Sequence, residues 1–357
     1  MKLYIAGGCG EHGRNCFHVT GNNIDFLVDC GLMAAEQDRY PRLLSQKISR
    51  IQMVFLTHSH ADHAGALPWL YENGFCGEVI ASKHTLEQLP FKPKKAITLE
   101  NICASGQEGV CHNLNIKWGK SGHCLGSVWY RFGTEGKTIF FSGDYMENSP
   151  VYRVDRIRGQ QADLAVLDCT YGKSTTTYEK ACEELLTTVE RLLQKHGTVV
   201  LPVPKYGRGL DLLFSFLDSG LKTRYYGDAH FLAQLWNMQF SSSWYHMDGK
   251  TLFEAVHPYS KGRNGIVFVS DPQLRGTSAF KTAVETIKGG GVGIMTGTVE
   301  KGTSSATLIE MGKMFFCRYP VHLNYTQYEN LSQENQFAIT IPYHSAEVRC
   351  DKSIIEI

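Results

Sequence analysis

The sequence has no excess of charge of either sign. Lys and Arg together number 36 against 35 Asp and Glu, a formal net charge of +1. Bulk electrostatics therefore announce no polyanionic partner, and any such contact must be a local groove. No apolar run reaches membrane-spanning length. The start, MKLYIAGG, reads as a short strand and turn, with no charged-then-apolar leader and cleavage site. The 11 cysteines are odd in number and include no C-x-x-C pair. That argues against a disulfide framework or a zinc ribbon and predicts reduced, mostly buried thiols in a cytoplasmic protein. There is no internal repeat and no low-complexity linker. The G-K-S of YGKST lacks the first glycine of a P-loop at the required spacing, so no nucleotide-triphosphate site is expected there.

What is present is 357 residues, 43% of them hydrophobic, enough for one large α/β domain or two lobes. In the first half, KLYIAG, IDFLVD, QMVFLT, SVWYRF, KTIFFSG and DLAVLD read as strands between glycine-rich turns. Polar residues gather at their ends: Asp29, Thr57-His58, Asp144 and Asp168. From about Thr175 the pattern becomes strand–helix alternation, beginning with TTTYEKACEELLTTVERLLQKHG, which has a Thr-rich start and a Gly stop. This predicts a parallel α/β unit inserted in the first lobe.

The segment FLTHSHADHAG places His58, His60, Asp62 and His63 within six residues of one another. Such a cluster makes a poor core and a good metal site, because zinc takes nitrogen and oxygen ligands and catalytic sites keep a position for water. His123 lies in a glycine-flanked turn, SGHCLGS, and Asp144 follows a strand in FFSGDY. Alone, either residue is unremarkable. Beside the cluster, both are expected to be ligands. Scattered histidines such as His84, His112, His196 and His246 read as surface or hydrogen-bonded residues.

H-x-H-x-D-H, a distant histidine and an aspartate after a strand resemble the metallo-β-lactamase superfamily. GGCGEHGRNCFHV and FLVDCG resemble the opening turn and second strand of its nucleic-acid-processing branch. LDCTYGKS, PVPKYGRGLDLL, IVFVSDPQL, GIMTGTVEKGTSS and ITIPYHSAEV resemble, in order, the motifs of its β-CASP nucleases. The resemblance implies an α/β fold, an αββα sandwich with an inserted α/β cap. The lactamase lobe would comprise residues 1–173 and 336–357, with the cap at 174–335. It implies two zinc ions; because no histidine follows His344 in this sequence, the second is expected to be weak or replaceable by Mn²⁺. His58, His60 and His123 would hold the first, Asp62 and His63 the second, with Asp144 bridging. Asp168 would match motif A and His344 motif B. A dizinc-activated hydroxide would hydrolyse phosphodiester bonds of RNA or single-stranded DNA. His344 would supply the leaving oxygen's proton, oriented by Asp168, with Asp62 also in the catalytic set. Ser270, Gly297, Gly302 and Thr303 are expected substrate contacts. Lys92, Lys94, Lys95, Arg156 and Arg158 are candidates for tracking a phosphate backbone.

The family carries a further residue, motif C, roughly twenty positions after motif B. The sequence stops at Ile357 with no histidine after His344. Either the second ion has one ligand fewer, or His344 is itself recruited as a ligand, or the last strand is absent. RNA versus DNA and endonuclease versus exonuclease action stay open on the sequence. The rivals are a small-molecule hydrolase of the same fold acting on a cyclic nucleotide, thioester or lactone, and a subunit that needs a protein partner. A homodimer stays open too. The full ligand set argues against a non-catalytic platform.

Overall fold

Aromatic side chains hold the first compact unit together, in a computed structural model that describes residues 1–34 and 37–357. Phe26 and Phe55 on one sheet meet Phe132 on another, with ring centroids 5.0 and 4.7 Å apart. Phe17 meets Phe141 at 5.6 Å. The first sheet runs Ile354–Glu356, Lys2–Gly7, Cys16–Thr20, Asp25–Val28, Met53–Phe55, Glu78–Ala81, Ala96–Thr98. The second runs Thr340–Tyr343, Leu164–Asp168, Lys137–Phe141, Val128–Thr134, Leu114–Lys120, Glu108–Cys111.

Strand side chains alternate between faces. Inner positions build the aromatic layer, while their neighbours face helices. Leu27 and Val54 pack with Leu67 and Leu70 of the helix Leu67–Glu72. Trp129 and Phe140 pack with Leu331 and Tyr328 of the helix Tyr325–Glu334. Helix, sheet, sheet, helix is the expected layering.

The first unit comprises Met1–Glu147, Val154–Thr175 and His322–Ile357; the second comprises Asn148–Arg153 and Thr176–Val321. The second is thus inserted in the first. Its far boundary falls at Val321/His322, not at the expected 335/336. The reason is physical: the helix Tyr325–Glu334 covers the outer face of the second sheet, so residues 322–335 belong with the first unit.

The second unit has a six-stranded sheet in the order Val256–Pro258, Tyr225–Gly227, Gly265–Val269, Thr198–Pro202, Val292–Met295, Met314–Phe316. Every pairing in it is parallel. Its central strands, Gly265–Val269, Thr198–Pro202 and Val292–Met295, read as nearly continuous apolar runs, as expected where helices cover both faces. The long helix Tyr178–His196 is capped by the Thr177 side chain and stopped by Gly197 at φ +72°. All 11 cysteines are free. Among the described residues no helix is long and apolar enough to cross a membrane.

Candidate metal centre

Strand ends carry the site. Lys137–Phe141, Leu164–Asp168 and Thr340–Tyr343 lie side by side and parallel, so Asp144, Asp168 and His344 leave neighbouring strands at the same edge. Thr57 and His58 follow the strand Met53–Phe55, and His60 precedes the short helix Ala61–Ala64. A segment after the strand Asp25–Val28 braces this loop: Cys30 N donates to His63 O at 2.7 Å and Leu32 N to Ala61 O at 2.9 Å. Gly31 between them passes so close that a Cβ would sit 1.7 Å from Asp62 O.

All six expected ligands converge. His58 Nε2 is 3.0 Å from His60 Nδ1, and His123 Nε2 is 3.3 Å from the same atom. Nitrogens held about 2.0–2.1 Å from a tetrahedral zinc lie about 3.3 Å apart, so this spacing suits a common ion. Asp144 faces both ways. Its Oδ2 is 3.7 Å from His58 Nε2 and 3.6 Å from His123 Nε2. Its Oδ1 is 3.2 Å from both His63 Nε2 and His344 Nδ1. Asp62 Oδ2 lies 3.8 Å from His63 Nε2 and 2.9 Å from His344 Nε2. His344 thus has one ring nitrogen beside Asp144 and the other beside Asp62.

The next layer fixes the rings. His63 Nδ1 donates to Asp29 Oδ2 at 2.7 Å, which turns Nε2 toward Asp144. Thr57 donates its backbone N–H to Asp29 Oδ1 at 2.7 Å. Buried Arg14 and the loop at 8–15 brace the other side, where Asn15 N donates to Asp62 O at 2.9 Å.

The charges in the cluster depend on one another. Burial and the surrounding imidazoles push His58 well below its ordinary pKa, so its lone pair stays open. Burial opposes charge on His63, yet Asp144, Asp29 and Asp62 hold it well above the usual value. Burial also lowers His344, but Asp144 and Asp62 carry it up to about 10. Burial works against ionised Asp62 and Asp144, and the histidines nevertheless hold both well below the carboxylate range. Carboxylate oxygens and imidazole nitrogens gathered at this spacing are a donor set that fits metal ions.

Asp168 does not hydrogen-bond His344, contrary to expectation. It accepts from Nδ1 of His322 at 2.8 Å, and from Tyr145 N and Thr170 N at 3.0 Å each. Register explains this. Asp168 pairs with Tyr343 across the strands, and His344, one residue on at φ +64°, turns its ring toward Asp62 and Asp144. Thr170 Oγ1 links the groups, 3.1 Å from His344 Nδ1 and 3.2 Å from His322 Nδ1. Sequence reasoning missed His322 altogether. A signal existed: it precedes His344 by about twenty positions, the spacing from motif B to motif C.

Ser270, Gly297, Gly302 and Thr303 belong to the second unit, and the side chains of Ser270 and Thr303 are engaged within it. Ser270 N and Oγ donate to the Asp228 carboxylate at 2.6 and 2.8 Å. Thr303 caps the helix Ser304–Glu310. The Arg208 guanidinium occupies the space where a Cβ at Gly297 would sit, and Gly302 sits at φ +73°. Arg158 is engaged by Glu147 at 2.7 Å and Glu334 at 2.8 Å.

Residues 9–202 match a family model described as the metallo-beta-lactamase superfamily. Transcription termination factor FttA of Methanothermobacter thermautotrophicus is 25% identical over 245 residues, which cover 59% of this chain and 38% of that protein. Ribonuclease TTHA0252 of Thermus thermophilus is 26% identical over 239 residues, covering 62% of this chain and 56% of that one. The matches thus span between about a third and just over half of these relatives' length. A crystal structure of a protein of unknown function from Enterococcus faecalis V583 shares the fold, with a TM-score of 0.62 at 12% identity, covering 97% of this chain and 94% of that one.

Proposed function

The chain belongs to the metallo-beta-lactamase superfamily, and from that membership we propose that it is a metal-dependent phosphodiesterase that cleaves RNA. The observation that carries this reading is Asp144, with one oxygen toward His58 and His123 and the other toward His63 and His344. A carboxylate so placed would serve both sets of donors. His58, His60 and His123 would hold one ion; Asp62, His63 and His344 would hold the other. The relatives named as a ribonuclease and a transcription termination factor favour RNA over DNA. Zinc is the metal proposed, because the donors are imidazole and carboxylate.

Bound ions would supply a nucleophilic water near neutral pH and offset charge on the phosphate oxygens. The side chains handle the proton on the other side. Because the Asp168 carboxylate accepts, His322 Nδ1 carries a proton, and Nε2 is the atom left to act on the leaving oxygen. As water adds to phosphorus it releases one proton to solvent, the bond to the leaving oxygen breaks, and His322 passes a proton from Nε2 to that oxygen, to be reloaded from solvent. Asp168 holds the ring in place through Nδ1. In this reading His344 is a ligand and His322 the proton donor.

The test is cleavage of end-labelled single-stranded RNA and DNA by protein of verified metal content, beside an Asp62→Ala/His63→Ala control. Metal-dependent RNA cleavage that disappears in the control supports the proposal. Intact RNA after incubation with fully loaded protein refutes it.

A further inference from the structure

One loop holds His344 at three points. The His344 backbone N–H donates to Gly8 O at 2.6 Å. Its carbonyl accepts from His12 Nδ1 at 3.2 Å. Its ring lies flat on the His12 ring, centroids 4.2 Å apart and planes 5° from parallel. A carbonyl only accepts, so His12 is the tautomer with its proton on Nδ1. His344 needs such restraint, because its φ of +64° lies in the left-handed region that side-chain-bearing residues rarely occupy.

The loop is itself rigid. Arg14, 3% exposed, donates from Nε and Nη2 to the two oxygens of Glu11, both at 2.7 Å. Gly8 N donates to the same carboxylate at 3.2 Å. At its far end Asn15 N holds Asp62 O.

We propose that His12 is a positioning residue for the second metal site, clamping both the ring and the carbonyl of His344 so that the imidazole stays aimed beside Asp62 and Asp144. The proposal rests on the reading of His344 as a ligand. Histidine suits the task because one side chain supplies a flat face and a donor; phenylalanine supplies only the face, and glutamine only the donor. His12 is not itself assigned as a ligand, although it lies within 4.8 Å of the donor atoms of Asp62 and His344. Two rings stacked in parallel send their in-plane lone pairs side by side, not to one point.

The experiment strips wild type, His12→Ala, His12→Phe, His12→Gln and His344→Ala of metal and titrates each with Co²⁺, followed by its visible spectrum, and with Zn²⁺ by calorimetry. His12→Ala is expected to weaken the second site about 10–100-fold and leave the first unchanged. The Phe and Gln variants should fall between. His344→Ala should lose the second site. A merely structural role for His12 would weaken both sites or neither. Two sites of wild-type strength in His12→Ala, with the second lost in His344→Ala, overturn the clamp while the ligand reading stands. A second site unaffected in His344→Ala overturns both. Should His12→Ala not fold, His12→Phe decides, because a second site there as tight as wild type removes the carbonyl clamp.

Discussion

Asp168 and His322, 154 residues apart in sequence, share a buried hydrogen bond of 2.8 Å from His322 Nδ1 to Asp168 Oδ2. The pair stands beside the donor cluster, with His322 Nδ1 3.9 Å from Asp144 Oδ2. Burial opposes the Asp168 carboxylate, but His322 holds its pKa below the ordinary value. An ionised partner of this kind fixes the imidazole tautomer, with the proton on Nδ1.

Removing either member should therefore damage chemistry and spare metal binding. His322→Ala is expected to lower the single-turnover rate of RNA cleavage by about 10²–10⁴-fold, with metal content as in wild type. Asp168→Asn should fall in the same range. Substrates whose leaving group needs no proton should recover much of the loss in His322→Ala. No recovery with such a substrate would count against the proton-donor role.

Metal stoichiometry separates the two donor sets. His344→Ala is expected to retain one ion per chain, held by His58, His60 and His123. Asp144→Ala should weaken both sites, because its two oxygens serve different sets. Elemental analysis after dialysis against a weak chelator reads this directly. Equal loss in the two variants would contradict the bridging role.

The difference between the legible and illegible parts of this site is one of range. His58, His60, Asp62 and His63 stand together in six residues, so their convergence needs one loop and no knowledge of the fold. Asp144 and His123 could be reached because a strand end and a glycine-flanked turn are local features. His322 could not be reached this way. Its membership in the first unit depends on Leu331 and Tyr328 packing against Trp129 and Phe140, contacts across nearly two hundred residues that leave no periodic trace. The strand alternation, by contrast, was readable, because Phe26, Leu27, Val54 and Phe55 alternate between an aromatic inner face and an aliphatic outer one.

Gly31 offers a test of how the metal loop is held. A Cβ there would overlap Asp62 O at 1.7 Å and His63 N at 2.8 Å, both main-chain atoms that cannot swing aside. Gly31→Ala is expected to lower stability by about 1–3 kcal/mol and to weaken metal binding through displacement of Asp62 and His63. Urea denaturation of the metal-free form measures the first effect, and metal titration the second. Wild-type behaviour in both would show that segments 30–32 and 61–63 can separate without consequence.

Asp211, in the inserted unit, makes stability depend on pH. It is buried, and desolvation pushes its pKa up to about 7, against the lowering effect of hydrogen bonds from Ser149 Oγ at 2.7 Å and Val151 N at 3.3 Å. In the unfolded chain the group returns to its ordinary value of 3.8. Between those values the native state holds a proton that the unfolded state has released. Stability from this group is thus fully present below about pH 4, falls as pH rises toward 7, and is flat above it. The slope in that window is at most about 1.4 kcal/mol per pH unit. Asp211→Asn keeps an acceptor for Ser149 and cannot ionise. Its melting temperature should therefore match wild type near pH 4, exceed it by a margin that widens up to about pH 7, and keep that margin above it. Parallel melting curves for the two proteins across that range would mean that Asp211 is already ionised in the native fold.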